Sequence, residues 1–212
     1  SVDYFKITVK GRSAHVSTPE KGIDALFVAS EIVVSAQALV TRRTNPTDSV
    51  IIGIGKLEAG TAYNIVAKSA VLEGTIRVMY PEIRKQVKSE LESLAKGIAS
   101  IYGAEAEIEY KDFTSPLINP VDTTKEVAIV AKRLLGEENV ITNRPYSLGG
   151  DDFAEFNLRV PETYVYVGSG NENNPNTMVA HHDGLFEIDE DCLLIASRLH
   201  VAYALSFLDN LI

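Results

Sequence analysis

The chain has 212 residues, of which 45% are hydrophobic, and a formal net charge of -9. That is enough apolar material for a sizeable core in one or two domains of roughly 100–200 residues each. The scattered acidic residues read as a solvated surface and exclude a basic nucleic-acid footprint. The single cysteine, Cys192, excludes an internal disulfide and fits a reducing compartment. No apolar run approaches the ~20 residues of a bilayer span, and no basic-then-apolar signal segment opens the chain. The expected location is the cytoplasm, without a membrane partner. The chain begins at Ser1 and leads almost directly into a strand pattern, which predicts a truncated or processed polypeptide.

In residues 4–10, Phe5, Ile7 and Val9 alternate with Lys6, Thr8 and Lys10, the pattern of a half-buried strand. A Gly/Ser-rich loop, Gly11 to Pro19, carries His15. Leu26, Ala29, Val33, Ala36 and Val40 then recur at helical spacing and predict a long amphipathic helix over about 22–41. Val50–Leu57 reads as a second strand, so apolar and glycine-bearing that a central place in the sheet is expected. Residues 58–64 connect it to a third strand, in which Ala70, Leu72, Gly74, Ile76 and Val78 alternate with Val71, Glu73, Thr75 and Arg77. Pro81 suits a helix start. Ile83, Val87, Leu91, Leu94, Ile98 and Ile101 line one face of that helix, and Gly103 is its expected left-handed stop. A fourth strand follows over about 104–111. The order βαββαβ is the split, ferredoxin-like arrangement, with one sheet and both helices on one face.

Ser115-Pro116 and Asn119-Pro120 mark a domain boundary. Beyond them the pattern predicts a helix over about 123–135, with Val127, Val130, Ala131 and Leu134 inward. A short strand at Val140-Ile141, a short helix over 151–156 and a strand over 163–167 follow. The last helix, about 190–208, has Leu194, Leu199, Ala202 and Leu205 as buried candidates. So few strands for so many helices predict a sheet completed by strands from elsewhere, because two strands alone are marginal.

The stretch from Ser147 to Asp191 concentrates the polar signals. His181 and His182 are adjacent, so on extended backbone only one faces a given site. A neutral imidazole is a common ligand of zinc and similar ions, and Asp151, Asp152 and Asp183 are candidate carboxylates. A polar loop with a partly buried histidine is the blander alternative, and Gly149-Gly150-Asp151-Asp152 equally fits a helix N-cap. No three-ligand spacing such as H-E-x-x-H is present. Gly168-Ser169-Gly170-Asn171 lacks the following lysine and helix of a phosphate loop. Alone, His15 reads as an incidental loop residue, Asn64 as a turn residue, and Arg77 as either a structural pair or a fork for a carboxylate.

Five stretches occur together in one order: G-R-S-A-H-V-S-T-P-E-K-G-I-D-A-L, G-T-A-Y-N-I-V, L-E-G-T-I-R, G-G-D-D-F and H-H-D-G-L-F-E-I-D-E. In this the chain resembles the M20 metallopeptidases and amidohydrolases, closest to the branch of hippurate, N-acyl-amino-acid and indoleacetyl-amino-acid hydrolases. The resemblance implies an α/β chain. Residues 1–113 would be the ferredoxin-like βαββαβ lid and dimerisation domain, and 114–212 the C-terminal part of a zinc-peptidase-like catalytic domain. It implies His182 as a metal ligand, four residues before Phe186. It implies His15 as the catalytic group that polarises the scissile carbonyl, commonly from the partner subunit, and Asn64 and Arg77 as binders of the substrate carboxylate. The implied cofactors are divalent metal ions, two of them (Zn, Mn, Co or Ni), and the implied partners are a small N-acyl amino acid and a second copy of the chain. The sequence departs from the family pattern at Asp151 (for Glu), Gly184 (for Pro) and Ala67-Lys68 (for Pro-Asp).

The resemblance implies an upstream portion, not among these residues, that would carry the other metal ligands and the paired glutamates. These 212 residues alone are therefore expected to be inactive. A non-catalytic dimerisation or ligand-binding module of the same fold is the alternative function. A complete mononuclear metalloenzyme using His182, Asp151 and Asp152 is a third reading.

Overall fold

A computed structural model describes residues 1–209. The residues form two compact units. The first takes in Ser1–Leu117 and a returning segment, Ser147–Glu155; the second takes in Ile118–Tyr146 and the chain from Phe156 onward.

The first unit is built on strand β1 (Val2–Lys10), flanked on both sides in a four-stranded antiparallel sheet. Its neighbours are β3 (Ser69–Val78) and β4 (Glu105–Thr114), with β2 (Val50–Ala59) outside β3, giving the order β2-β3-β1-β4. The period of two puts Phe5, Ile7 and Val9 on one face, all fully buried. Helices α1 (Ala25–Ala38) and α2 (Pro81–Ile101) cover that face and close one core with Leu72, Ile76, Ile32 and Leu91. This is the expected βαββαβ order with its helices on one face. Asp24 caps α1 by accepting hydrogen bonds from the Leu26 and Phe27 amides. Pro81 opens α2, and Gly103 follows it at φ +73°, a conformation glycine adopts without steric cost.

Two expectations about this unit change. Strand β2 is an edge, not a central strand. On α1 the inward residues are Ala25, Val28, Ala29, Ile32 and Ala36, whereas Leu26 is largely exposed. This helix is apolar almost all round, so several stripes fit its sequence and the sheet selects one. With the π-helical turn Leu39–Arg43 that extends it, its mean hydropathy is 1.4 over Ala25–Arg43, and that of the last helix is 1.3. Both are long and apolar enough to cross a bilayer by length and composition, which the sequence reading did not expect. The inner face of α1 is nonetheless part of the protein core.

Asp3 is in phase with Phe5 and is fully buried. Its carboxylate receives Arg84 through Nε at 2.7 Å and Nη2 at 2.6 Å, and Lys88 lies 2.9 Å away. Arg84 and Lys88 are one turn apart on α2, so the helix delivers two cations to one strand residue. Asp112 on β4 completes the cluster through Lys88 at 2.5 Å. The hydrogen bond from Lys88 holds the Asp112 carboxyl below the usual carboxylate range.

The second unit is helical among the described residues. Helix α3 (Val121–Leu135) packs Val130 and Ala131 against Leu199 of α5 (Asp191–Leu208). A one-turn helix, α4 (Ala154–Asn157), spans the point where the chain passes from one unit to the other. The strands expected at Val140-Ile141 and Thr163–Val167 do not form. A strand requires a hydrogen-bonded neighbour, and the described residues supply none. On α5, Leu199 is buried, but Leu194 and Leu205 are exposed rather than inward.

Removing the carboxylate at the Asp3 cluster strands two cations near the core. Asp3→Asn is expected to cost about 3 kcal/mol of stability, readable as a shift of the denaturant midpoint. Because the folded pKa of Asp112 is depressed, its contribution is present above the unfolded carboxylate value and is lost as pH falls through the folded one. An acid titration of the melting temperature should lose this contribution below about pH 4, and Asp112→Asn should remove that step.

Candidate functional site

His15 lies just beyond the end of β1, in a loop held at several points. The Ile65 backbone pairs with His15 in an isolated bridge, and the Val16 amide donates to the Asn64 carbonyl at 3.2 Å. The Val66 amide donates to Ala14 at 2.9 Å, and the Gly11 amide to the Lys68 carbonyl at 2.8 Å. Ala67, in place of the family's proline, is buried, and its carbonyl accepts from the Ala25 amide. The two loops thus form one rim that brings His15 and Asn64 together.

The His15 ring is oriented locally. The Ser17 amide donates to Nδ1 at 3.1 Å, and Ser17 Oγ lies 2.7 Å from the same atom. A backbone N–H can only donate, so Nδ1 is the acceptor and the neutral ring carries its proton on Nε2. The exposed imidazole therefore offers an N–H outward. Beside Asn64, Tyr63 is 98% exposed. A tyrosine so fully unsheltered on an otherwise tied rim joins the candidate site. Its signal was present in the G-T-A-Y-N stretch, but nothing in the local pattern separated it from a turn residue.

Arg77 is at the other end of the same sheet. It pairs with Val2, whereas Ser69, at the start of β3, pairs with Lys10. Eight residue steps at about 3.4 Å per residue put these ends roughly 27 Å apart. Within one unit, Arg77 and the His15–Asn64 rim cannot hold the same small molecule. Arg77 donates through Nη1 to the Leu148 carbonyl at 3.1 Å and has no ion pair among the described residues. Leu148 belongs to the returning segment, which sits tightly: a Cβ built on Gly150 would come within 2.3 Å of Val2 Cγ2. Asp151 accepts from the Phe153 amide at 2.9 Å, which favours the capping reading of the aspartate pair.

His182 is in the second unit. The Asp183 amide donates to the Ala180 carbonyl, so His181 and His182 are the central residues of a turn. His182 has φ +70°, the one non-glycine residue described with positive φ. A side chain is rarely held there without other constraint. The turn separates the adjacent pair: the His181 ring meets Phe186 edge-on at 4.9 Å, and His182 is exposed. An open catalytic metal site takes about three protein ligands. Among the described residues no three His, Cys, Asp or Glu side chains come together. The donor set of this chain therefore does not fit a metal by itself. Within its own unit His182 offers a single imidazole.

Residues 2–102 match the model of the M20 peptidase dimerisation domain. This stretch is an M20 dimerisation domain, and the relatives of the chain are amidohydrolases and peptidases. It is 32% identical over 207 residues to the putative amidohydrolase YhaA of Bacillus subtilis, spanning 98% of this chain and 52% of that protein. It is 31% identical over 211 residues to an N-acetylcysteine deacetylase of the same organism, spanning 100% of this chain and 53% of the relative. Among solved structures, the Bacillus subtilis protein YXEP, described as a dinuclear metal-binding peptidase of the M20 family, matches with a TM-score of 0.76 at 29% identity. That likeness covers 99% of this chain and 50% of the other. The chain spans about half the length of the curated relatives it matches. The M20 likeness thus extends beyond the dimerisation domain and through the second unit.

Two substitutions test the site as described. Gly150→Ala should lower the stability of the first unit by about 1–3 kcal/mol, because the new methyl meets Val2. Hydrogen exchange should then show faster opening of residues 147–155. His182→Gly relieves a left-handed non-glycine residue and should leave the melting temperature unchanged or slightly higher, by at most about 1 kcal/mol. A marked loss of stability would mean that the imidazole is a packing element rather than a presented ligand.

Proposed function

We propose that this chain is part of a homodimeric, divalent-metal-dependent M20 amidohydrolase that hydrolyses the amide bond of N-acyl amino acids. The observation that carries this reading is the oriented His15 imidazole with its outward Nε2–H. Hydrolysis of an amide places negative charge on the carbonyl oxygen in the transition state, and a pre-oriented N–H donor stabilises that charge where it develops. Asn64, on the same rim, supplies an amide beside it. Arg77 keeps guanidinium donors for a carboxylate, the group that every N-acyl amino acid carries. The deacetylase relative acts on an acylated amino acid by its name, which supports the substrate class. His182 would give one metal ligand, and the remaining ligands would come from outside these 212 residues. The single cysteine fits a cytoplasmic enzyme.

The separation along β3 supports a site shared between two subunits. One subunit contributes Arg77 and its partner contributes His15 and Asn64. The edges of the sheet support a homodimer as well. On β4, Glu105, Glu107 and Glu109 place charges along one edge. On β2, Val50–Gly55 carries neither charge nor proline. An unprotected apolar edge is a template for pairing with another chain, and the β2 edge is the proposed dimer contact. A purely non-catalytic dimerisation module would keep the dimer and lose the hydrolysis.

In the complete enzyme, His15→Ala should reduce kcat/KM by about 100- to 1,000-fold, and chelation of divalent metals should abolish turnover. Subunit mixing tests the shared site. His15→Ala and Arg77→Ala proteins should each be nearly inactive. After dissociation and random reassociation, half of the dimers are mixed and each regains one intact site, so about a quarter of wild-type activity should return. No recovery on mixing would place both residues in the same subunit's site and overturn the arrangement. A metal-loaded complete dimer that hydrolyses no acylated amino acid would leave the non-catalytic module.

A further inference from the structure

Among the described residues of the second unit, Glu162 carries a buried charge with no partner. It is 9% exposed, and both carboxylate oxygens are closed off from solvent without a hydrogen-bond partner among the described residues. Its backbone is pinned rather than loose. Thr123, in the first turn of α3, donates from Oγ1 to the Glu162 carbonyl at 3.2 Å, and Thr163 Oγ1 lies 2.8 Å from the same threonine hydroxyl. The neighbouring residues carry a second unfilled demand. Thr163–Val167 is β-branched and aromatic, yet has no strand partner, and Val165 and Tyr166 are exposed. The Tyr164 backbone is held by a side chain, donating to Asn119 Oδ1 at 2.8 Å and accepting from Asn119 Nδ2 at 2.9 Å. Leu193, Leu194, Val201 and Leu205 of α5 are exposed in the same unit.

We propose that Glu162 is the anchor for a lysine or arginine side chain carried by the M20 catalytic-domain segment that lies outside these 212 residues, and that this segment covers Thr163–Val167. The inference rests on the M20 reading and on the chain spanning about half of its relatives. An unpaired carboxylate shielded from water is a cost that a buried cation removes, and a cationic side chain both donates to the oxygens and neutralises their charge. Burial pushes the Glu162 carboxyl above the usual glutamate range, so the unpartnered group opposes folding as pH rises through that window. The same group, once paired, supports it.

This inversion of sign is the test. Thermal melts at pH 7 compare the wild type with Glu162→Gln and Glu162→Leu, in the 212-residue chain and in the polypeptide of the complete reading frame. In the short chain, both variants should melt at the wild-type temperature or higher, since each removes an unpaired charge. In the complete polypeptide, both should melt lower by about 5 °C or more, with the leucine variant no better than the glutamine. Five results overturn the proposal. Destabilisation of the short chain by either variant would reveal a partner within it. An unchanged melting temperature of the complete polypeptide would remove the anchor. Stabilisation of both forms by the leucine variant would mean an apolar contact. A reading frame that encodes no further catalytic-domain segment leaves no carrier for the cation. A dimer of the short chain that dissociates on Glu162→Gln assigns the cation to a second copy. None of these readouts uses hydrolysis, so failure of the proposed activity and failure of this anchor are separate results.

Discussion

Strand β1 can bury one face of nine residues because two conditions are met together. Both its backbone edges are paired, to β3 and to β4, and the charge at its start is neutralised. Asp3 is in the same register as Phe5, Ile7 and Val9 and would otherwise put a bare carboxylate under α2. Arg84 and Lys88 remove that penalty from one helix face. Breaking such a pair costs far more than the pair contributes over a hydrophobic equivalent. Its value lies in fixing how α2 lies on the sheet, and hence where β3 and β4 end. The rim that carries His15 and the end that carries Arg77 are both defined by those strand ends.

The sheet therefore acts as a ruler. Its length separates Arg77 from the His15–Asn64 rim, and no side-chain rearrangement closes a gap of roughly 27 Å along paired strands. Two groups suited to one substrate, held apart by a rigid element, make sense when a second copy supplies the other half. The open β2 edge offers a means of bringing that copy into register through backbone hydrogen bonds. On this reading oligomerisation and catalysis depend on the same strand geometry.

Much of the first unit was legible in the sequence because its elements are amphipathic in the ordinary sense. The alternation at Phe5, Ile7 and Val9, the helical stripe at Val87 and Leu91, the start at Pro81 and the stop at Gly103 each follow from local physics. The misreadings have one cause. Val50–Gly55 looks central because it is apolar on both faces and its edge is unguarded. Those same features suit an edge that another chain covers. Leu26 on α1, and Leu194 and Leu205 on α5, were ambiguous because those helices are apolar on more than one face. The run Thr163–Val167 has strand composition and no strand partner. Asp3 shares the phase of Phe5, Ile7 and Val9, but a charged residue at the start of an alternating run carries no apolar signal of its burial. Of the site, the identities of His15, Asn64, Arg77 and His182 came from motif order. The orientation of His15 through Ser17, and the distance to Arg77, are three-dimensional facts that spacing does not encode.

The second unit follows the same logic with the opposite outcome. In the first unit the buried Asp3 carboxylate is answered within the chain, and among the described residues only the neutral Thr114 hydroxyl is left buried without a partner. In the second, among the described residues, Glu162 is shielded and unanswered, Thr163–Val167 has strand composition but belongs to no strand, and α5 is apolar and largely exposed. His182 belongs to this pattern, since one imidazole held in a strained turn is a single ligand for a site that needs about three. Unmet demands of four different kinds, ionic, backbone, apolar and coordinative, are more economically explained by one missing partner than by four separate accidents. A surface evolved for solvent would have shed the buried carboxylate first, because among these it alone costs stability at every pH where it is ionised.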